Sequence, residues 1–85
     1  MAKLRVTTTD GQVNDYEITP VIEYAFEQFA KKGFHKALLE DQKQSDIYFL
    51  CWEAMRRAGV SPKPFGEGFL ETLKSVEVLD SDPLE

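Results

Sequence analysis

The sequence predicts an α+β fold: an N-terminal β-hairpin followed by a mostly helical domain of three to four helices around a central helix, Asp46 to Ala58. Three observations predict it. β-Branched residues flank an Asp10-Gly11 pair near the start, Thr19-Pro20 opens a stretch of helical periodicity, and Ser45 to Gly59 carries an apolar arc wide enough to be covered on several sides. At 85 residues the chain is expected to form one domain, 1–85, with a hairpin over 1–19, a helical core over 20–79 and a flexible tail over 80–85.

The hairpin rests on its turn. Lys3 to Thr9 is rich in β-branched residues, and Gln12 to Ile18 puts Asn14, Tyr16 and Ile18 on one face and Val13, Asp15 and Glu17 on the other. Gly11 supplies the positive φ that a primed two-residue turn requires. A lone hairpin is only marginally stable in water, so Leu4, Val6, Tyr16 and Ile18 are expected to pack on the helices.

Thr19 then caps a first helix, with Pro20 at the position where its missing amide costs nothing. Its apolar face is Val21, Ile22, Ala25, Phe26 and Phe29, its outer face Glu23, Glu27 and Gln28, and Lys31-Lys32-Gly33 forms a cationic stop. Core packing is the ordinary use of such a face; a partner groove is the other. Phe34 to Glu40 reads as a short second helix with Phe34, Ala37, Leu38 and Leu39 inward, and Glu40 to Gln44 as a polar connection.

In the central helix Ile47, Cys51, Ala54, Met55 and Ala58 share one face, Tyr48 and Trp52 add a neighbouring stripe, and Phe49 and Leu50 complete an apolar run. Ser45 or Asp46 is the expected cap, Arg56 and Arg57 suit the negative end of the dipole, and Gly59 fits a left-handed stop. Glu53 is spaced to pair with Arg57. Val60 to Pro64 must be extended, because each proline disfavours helix in the residue before it. Phe65 to Val76 is expected to be the last helix, with Phe65, Phe69, Leu73 and Val76 on one face and a first turn weakened by Gly66 and Gly68, by roughly 1 kcal/mol each. Glu77 to Glu85 reads as an acidic, frayed end.

Composition excludes several functions. Ten Lys+Arg against fifteen Asp+Glu leave a formal charge of −5, a poor match to nucleic acid or an anionic membrane. The arginines beside the Pro-rich link do not make a DNA-reading helix pair, since Glu53, Glu67 and Glu71 accompany them. Cys51 is the single cysteine, so no internal disulfide forms, and its apolar setting makes it a small buried hydrophobe. The N-terminus lacks the apolar core of a signal peptide and no run reaches the roughly 20 residues of a membrane span, so a soluble intracellular protein is expected. Leu84-Glu85 has the look of a cloning remnant. His35 is the one histidine and has no companion ligands, and Gly66-x-Gly68 lacks the strand and third glycine of a nucleotide loop. No catalytic residue, metal or cofactor is expected, and the chain reads as non-enzymatic.

The run Asp46-Ile47-Tyr48-Phe49-Leu50-Cys51-Trp52-Glu53-Ala54-Met55-Arg56-Arg57-Ala58-Gly59-Val60, with Lys63-Pro64-Phe65-Gly66 and Phe69 to Val78, resembles the tail assembly chaperones of long-tailed phages that infect actinobacteria. Ile18-Thr19-Pro20, Ala25-Phe26-Glu27 and Gly33-Phe34-His35-Lys36-Ala37 are similar too. The resemblance implies a protein that binds the tape measure protein of the same phage and keeps it soluble while tail-tube subunits polymerise around it. It also implies action in the cytoplasm of the infected host, absence from the finished virion, and a longer frameshifted form of which this chain is the short counterpart. A homo-oligomer is compatible with this picture. A holdase needs apolar surface to cover a client and net charge to stay dispersed, so Tyr48, Phe49, Trp52, Phe65 and Phe69 are the expected partner-binding residues. The alternative is a small structural tail or connector subunit that uses its hairpin for edge pairing.

Overall fold

The structure, a computed structural model, describes residues 2–41 and 43–80. It has the expected α+β class, with a three-stranded antiparallel sheet and four helices. In chain order these are β1 (Ala2–Thr8), β2 (Val13–Glu17), α1 (Pro20–Ala30), α2 (Phe34–Lys36), a π-helical turn (Ala37–Asp41), α3 (Gln44–Arg57), α4 (Glu67–Leu70) and β3 (Leu73–Asp80).

The sheet order is β2-β1-β3, so the first strand lies in the middle. Leu4 stands between Tyr16 and Val78, and Val6 between Asn14 and Val76, which gives one face its apolar row. The opposite face carries Arg5, bonded bidentately to Asp15 at 2.9 and 3.1 Å and flanked on the other side by Glu77. α3 packs against the sheet and α1 packs on α3. The buried core joins Leu4 and Val6 of the sheet to Ile22 and Phe26 of α1, Leu50, Cys51 and Ala54 of α3, and Phe69 of α4.

β3 corrects two expectations. The segment from Leu73 onward is strand, not the second half of a helix, so the helical part ends at Leu70 rather than running to residue 79, and Glu77 to Asp80 is sheet rather than frayed tail. The spacing Phe65, Phe69, Leu73, Val76 fits a helix, but Leu73, Val76 and Val78 also suit a half-buried strand, and an available neighbour on β1 decides between them. Thr72 closes α4 by donating its hydroxyl to Phe69 O at 2.6 Å. Residues 81–85, Gln42 and the side chain of Leu39 lie outside the described residues.

The hairpin turn is also of another kind. Gly11 has φ 91° whereas Asp10 is not among the positive-φ residues, so the turn is not a primed one. Gly11 N donates to Thr8 O at 3.0 Å and Thr8 N to Gln12 O at 2.9 Å, making a three-residue loop closed by a left-handed glycine. Asp10 selects it: its carboxylate accepts from the Thr8 hydroxyl and from Gln12 N at 3.2 Å, which holds it below the usual carboxylate range.

Gly59 stops α3 as expected. It has φ 83°, donates to Arg56 O at 3.2 Å, and is followed by a Val60 N to Met55 O bond of 3.0 Å, the paired bonds of a Schellman motif. Other caps differ. Thr19 and Pro20 sit where expected, but Thr19 makes no side-chain capping bond. α1 stops on Lys31 at φ 60°, not on Gly33. α3 begins after Lys43, and Asp46 turns inward to Lys32 at 2.8 Å instead of capping. Lys32 also reaches Asp41 at 3.2 Å; these carboxylates, Asp46 foremost, raise its pKa and tie the end of α1 to the π turn and to α3. Within the Pro-rich link Ser61 is left-handed, at φ 56°, rather than extended.

Candidate interaction surface

α1 and α3 meet through rings. Phe26 is fully buried and packs edge-on against Phe34 at 5.9 Å between centroids. Phe29, one helical turn later, stacks flat on Phe49 at 3.9 Å and is 50% exposed. The ring series continues outward. Phe65 lies edge-on to Phe29 at 5.9 Å, to Phe49 at 5.5 Å and to Trp52 at 6.0 Å, and reaches inward to Phe69 at 6.3 Å. Trp52 Nε1 donates to Lys63 O at 2.8 Å, which pins the Pro-rich link against α3 and delivers Phe65 to this wall.

The structure divides the five expected partner-binding residues. Phe49 and Phe69 belong to the buried core, so they present no surface to a partner; Phe49 is covered by Phe29 and Phe65, and Phe69 faces the interior under α4. Tyr48, Trp52 and Phe65 are half-buried, and Trp52 and Phe65 stand side by side. Three exposed residues of α1 extend the surface. Phe29 and Val21, expected to face inward, are about half exposed, and Tyr24, which the helical face did not include, is 65% exposed. The signal was present in the spacing: Val21, Tyr24, Ala25 and Phe29 at i, i+3, i+4 and i+8 form a second apolar stripe beside Ile22 and Phe26.

Next to Trp52 the electrostatics are built on one buried acid. Glu53 accepts from Arg56 at 3.2 and 2.9 Å and from Arg57 at 2.7 Å. Burial pushes its carboxyl up, but the hydrogen bonds and charges of the two arginines outweigh burial and hold it below the ordinary value. Arg56, so fixed, lies over the Trp52 ring at 5.5 Å from its centroid, a cation–π contact. Cys51, on the inner face, has its thiol pushed up to about 12 by burial, which leaves it without nucleophilic character at neutral pH.

Among the described residues no group of three or more His, Cys, Asp or Glu is placed to hold a metal ion, and no helix is long and apolar enough to cross a membrane. A cleft of about 340 Å³ lies between the hairpin and the end of α3, lined by Val6, Asn14, Tyr16, Met55, Val60 and Thr72 with the polar turn residues. Its polar groups are hydroxyls and amides apart from Asp10, which is occupied by the turn. Searches against protein-family models, curated proteins and solved structures found no match to this chain.

Proposed function

We propose that this chain is a phage tail assembly chaperone that binds the tape measure protein and keeps it soluble during tail-tube assembly, without catalysis. The observation that carries this reading is the uncovered apolar flank of α1, Val21, Tyr24 and Phe29, continuous with Phe65 and Trp52. A holdase works by lending such a flank to a client's apolar helix while its own net charge, −5 here, keeps the pair dispersed. The likeness of the Asp46 to Val60 and Lys63 to Gly66 stretches to that family points the same way. Under this reading the protein acts in the host cytoplasm, alongside any longer frameshifted form, and leaves before the virion is complete.

Co-expression with the tape measure protein encoded by the same genome tests it. The client's soluble fraction should rise with this chain present and fall back with a Tyr24→Asp, Phe29→Ser variant that still folds. No rise with the unaltered chain rejects the proposal.

One observation favours a second reading. The order β2-β1-β3 leaves the outer edges of β2 and β3 unpaired among the described residues, as a tail subunit joining its neighbours by strand addition would require. Mass spectrometry of purified particles separates the two: a stoichiometric copy number in tails supports the subunit and excludes the chaperone.

A further inference from the structure

We infer that the α1 flank and the Phe65–Trp52 wall form one polar-ended docking band for an amphipathic helix whose apolar stripe is bordered by carboxylates. This deepens the chaperone reading and rests on it, by stating which chemistry a client segment must offer and in which place.

The band itself is uncharged. From Val21 to Phe29 it runs along about 12 Å of α1, eight residues at 1.5 Å each, and then continues over Phe65 to Trp52. α1 keeps its acids elsewhere. Glu27 accepts from Phe34 N at 2.9 Å, on the flank that meets α2, and helical spacing puts Glu23 on that same flank. Glu67 lies two residues after Phe65, and Glu53, next to Trp52, is turned to the arginines.

The Trp52 end is cationic. Arg56 and Arg57 share the single carboxylate of Glu53, so two positive charges meet one negative and a surplus stays at the surface. Arg56 is held over Trp52 and both guanidiniums are about half exposed. Lys63, whose carbonyl anchors Trp52, is exposed and pairs with no carboxylate among the described residues. In a chain of net charge −5 this is a local reversal of sign set against an apolar band. Carboxylates on the partner complement it; lysines there are repelled.

Trp52 is the only tryptophan, so its emission reports occupancy at the charged end. The probes are two synthetic helical peptides with the same Leu/Phe stripe, bordered by Glu in one and by Lys in the other. The Glu peptide should give a saturable change and bind about tenfold more tightly than the Lys peptide, with the preference shrinking as salt rises. Lys63→Glu should reduce the preference toward parity. Tyr24→Asp, at a position open enough to leave the fold intact, should weaken both peptides. Equal or tighter binding of the Lys peptide, or no saturable change with either, overturns the inference. So does a dimer seen by sedimentation that Tyr24→Asp abolishes, because the occupant is then a second copy. Discrimination between peptides without rescue of the tape measure protein rejects the chaperone and keeps the band. Rescue that survives Tyr24→Asp with Lys63→Glu rejects the band and keeps the chaperone.

Discussion

Phe26 and Phe29 are three residues apart on α1, and one is sealed while the other is half open to water. Phe26 is at 0% exposure against Phe34 and the sheet-facing core; Phe29 lies flat on Phe49 with its outer face uncovered. The same contrast separates the whole inner region, Leu4, Leu50, Cys51 and Phe69, from the outer flank of Val21, Tyr24 and Phe29. A count of ten aromatic residues (six Phe, three Tyr, one Trp) says how much ring area the chain owns but not where it goes. Two rings expected at a partner surface are interior, and two outside that expectation are exposed, because ring placement follows helix crossing and not composition.

The contrast is open to direct challenge. Phe26→Ala should cost about 3 to 5 kcal/mol by urea denaturation, the loss of a fully packed ring plus its cavity. Phe29→Ala should cost about 1 kcal/mol, the share of an aromatic pair at a half-exposed site. Equal losses would erase the distinction between the two regions.

Glu53 tests whether the inner region tolerates charge only when paired. Glu53→Gln should cost roughly 2 kcal/mol at neutral pH, since hydrogen bonds to charged groups are lost at a buried acceptor. Because its folded pKa lies below the unfolded value of 4.5, the stabilisation is present above that value and lost as pH falls through the folded pKa. Urea midpoints measured across the acid range should therefore fall less steeply in the Gln variant than in the unaltered chain.

Cys51 sharpens the same point on the alkaline side. Its thiol should resist a disulfide reagent in the folded chain at mildly alkaline pH and react fully in denaturant. Its raised pKa implies stability complete below 9.0 and lost toward about 12, at about 1.4 kcal/mol per pH unit from this group alone. Cys51→Ala should remove that component of the alkaline decline. A small effect of opposite sign, comparable to that at Phe29, belongs to the end of α1, where Lys31→Gly should raise stability by about 1 kcal/mol, because only glycine adopts a left-handed backbone at no steric cost.

Signals carried by one residue's own backbone chemistry were legible. Thr19-Pro20 opens α1, Gly59 ends α3, and Asp10-Gly11 makes the hairpin reverse, each from local geometry. Choices settled by a distant partner were not. Leu73 to Val78 becomes strand because β1 offers it an edge, and Asp46 leaves the cap because Lys32 draws it inward. The candidate interaction surface divides in the same way. Trp52 and Phe65 could be picked as surplus rings in the sequence, whereas the exposure of Tyr24 and Val21 depends on which side of α1 meets α3. The turn type failed for a subtler reason: Asp10 bonds its own neighbours and needs no positive φ.

The central strand sets an order of events during synthesis. β1 leaves the ribosome well before its second neighbour, β3, with Ala2 aligned to Asp80 and Leu4 to Val78. The nascent hairpin therefore waits with one bare edge until Leu73 to Asp80 have emerged. Closing so long a loop is entropically slow, and the delayed strand then seals Leu4 and Val6 in one cooperative step. Segments far apart in translation time are thus neighbours in space, and a chain halted before Leu73 lacks the strand that completes the sheet.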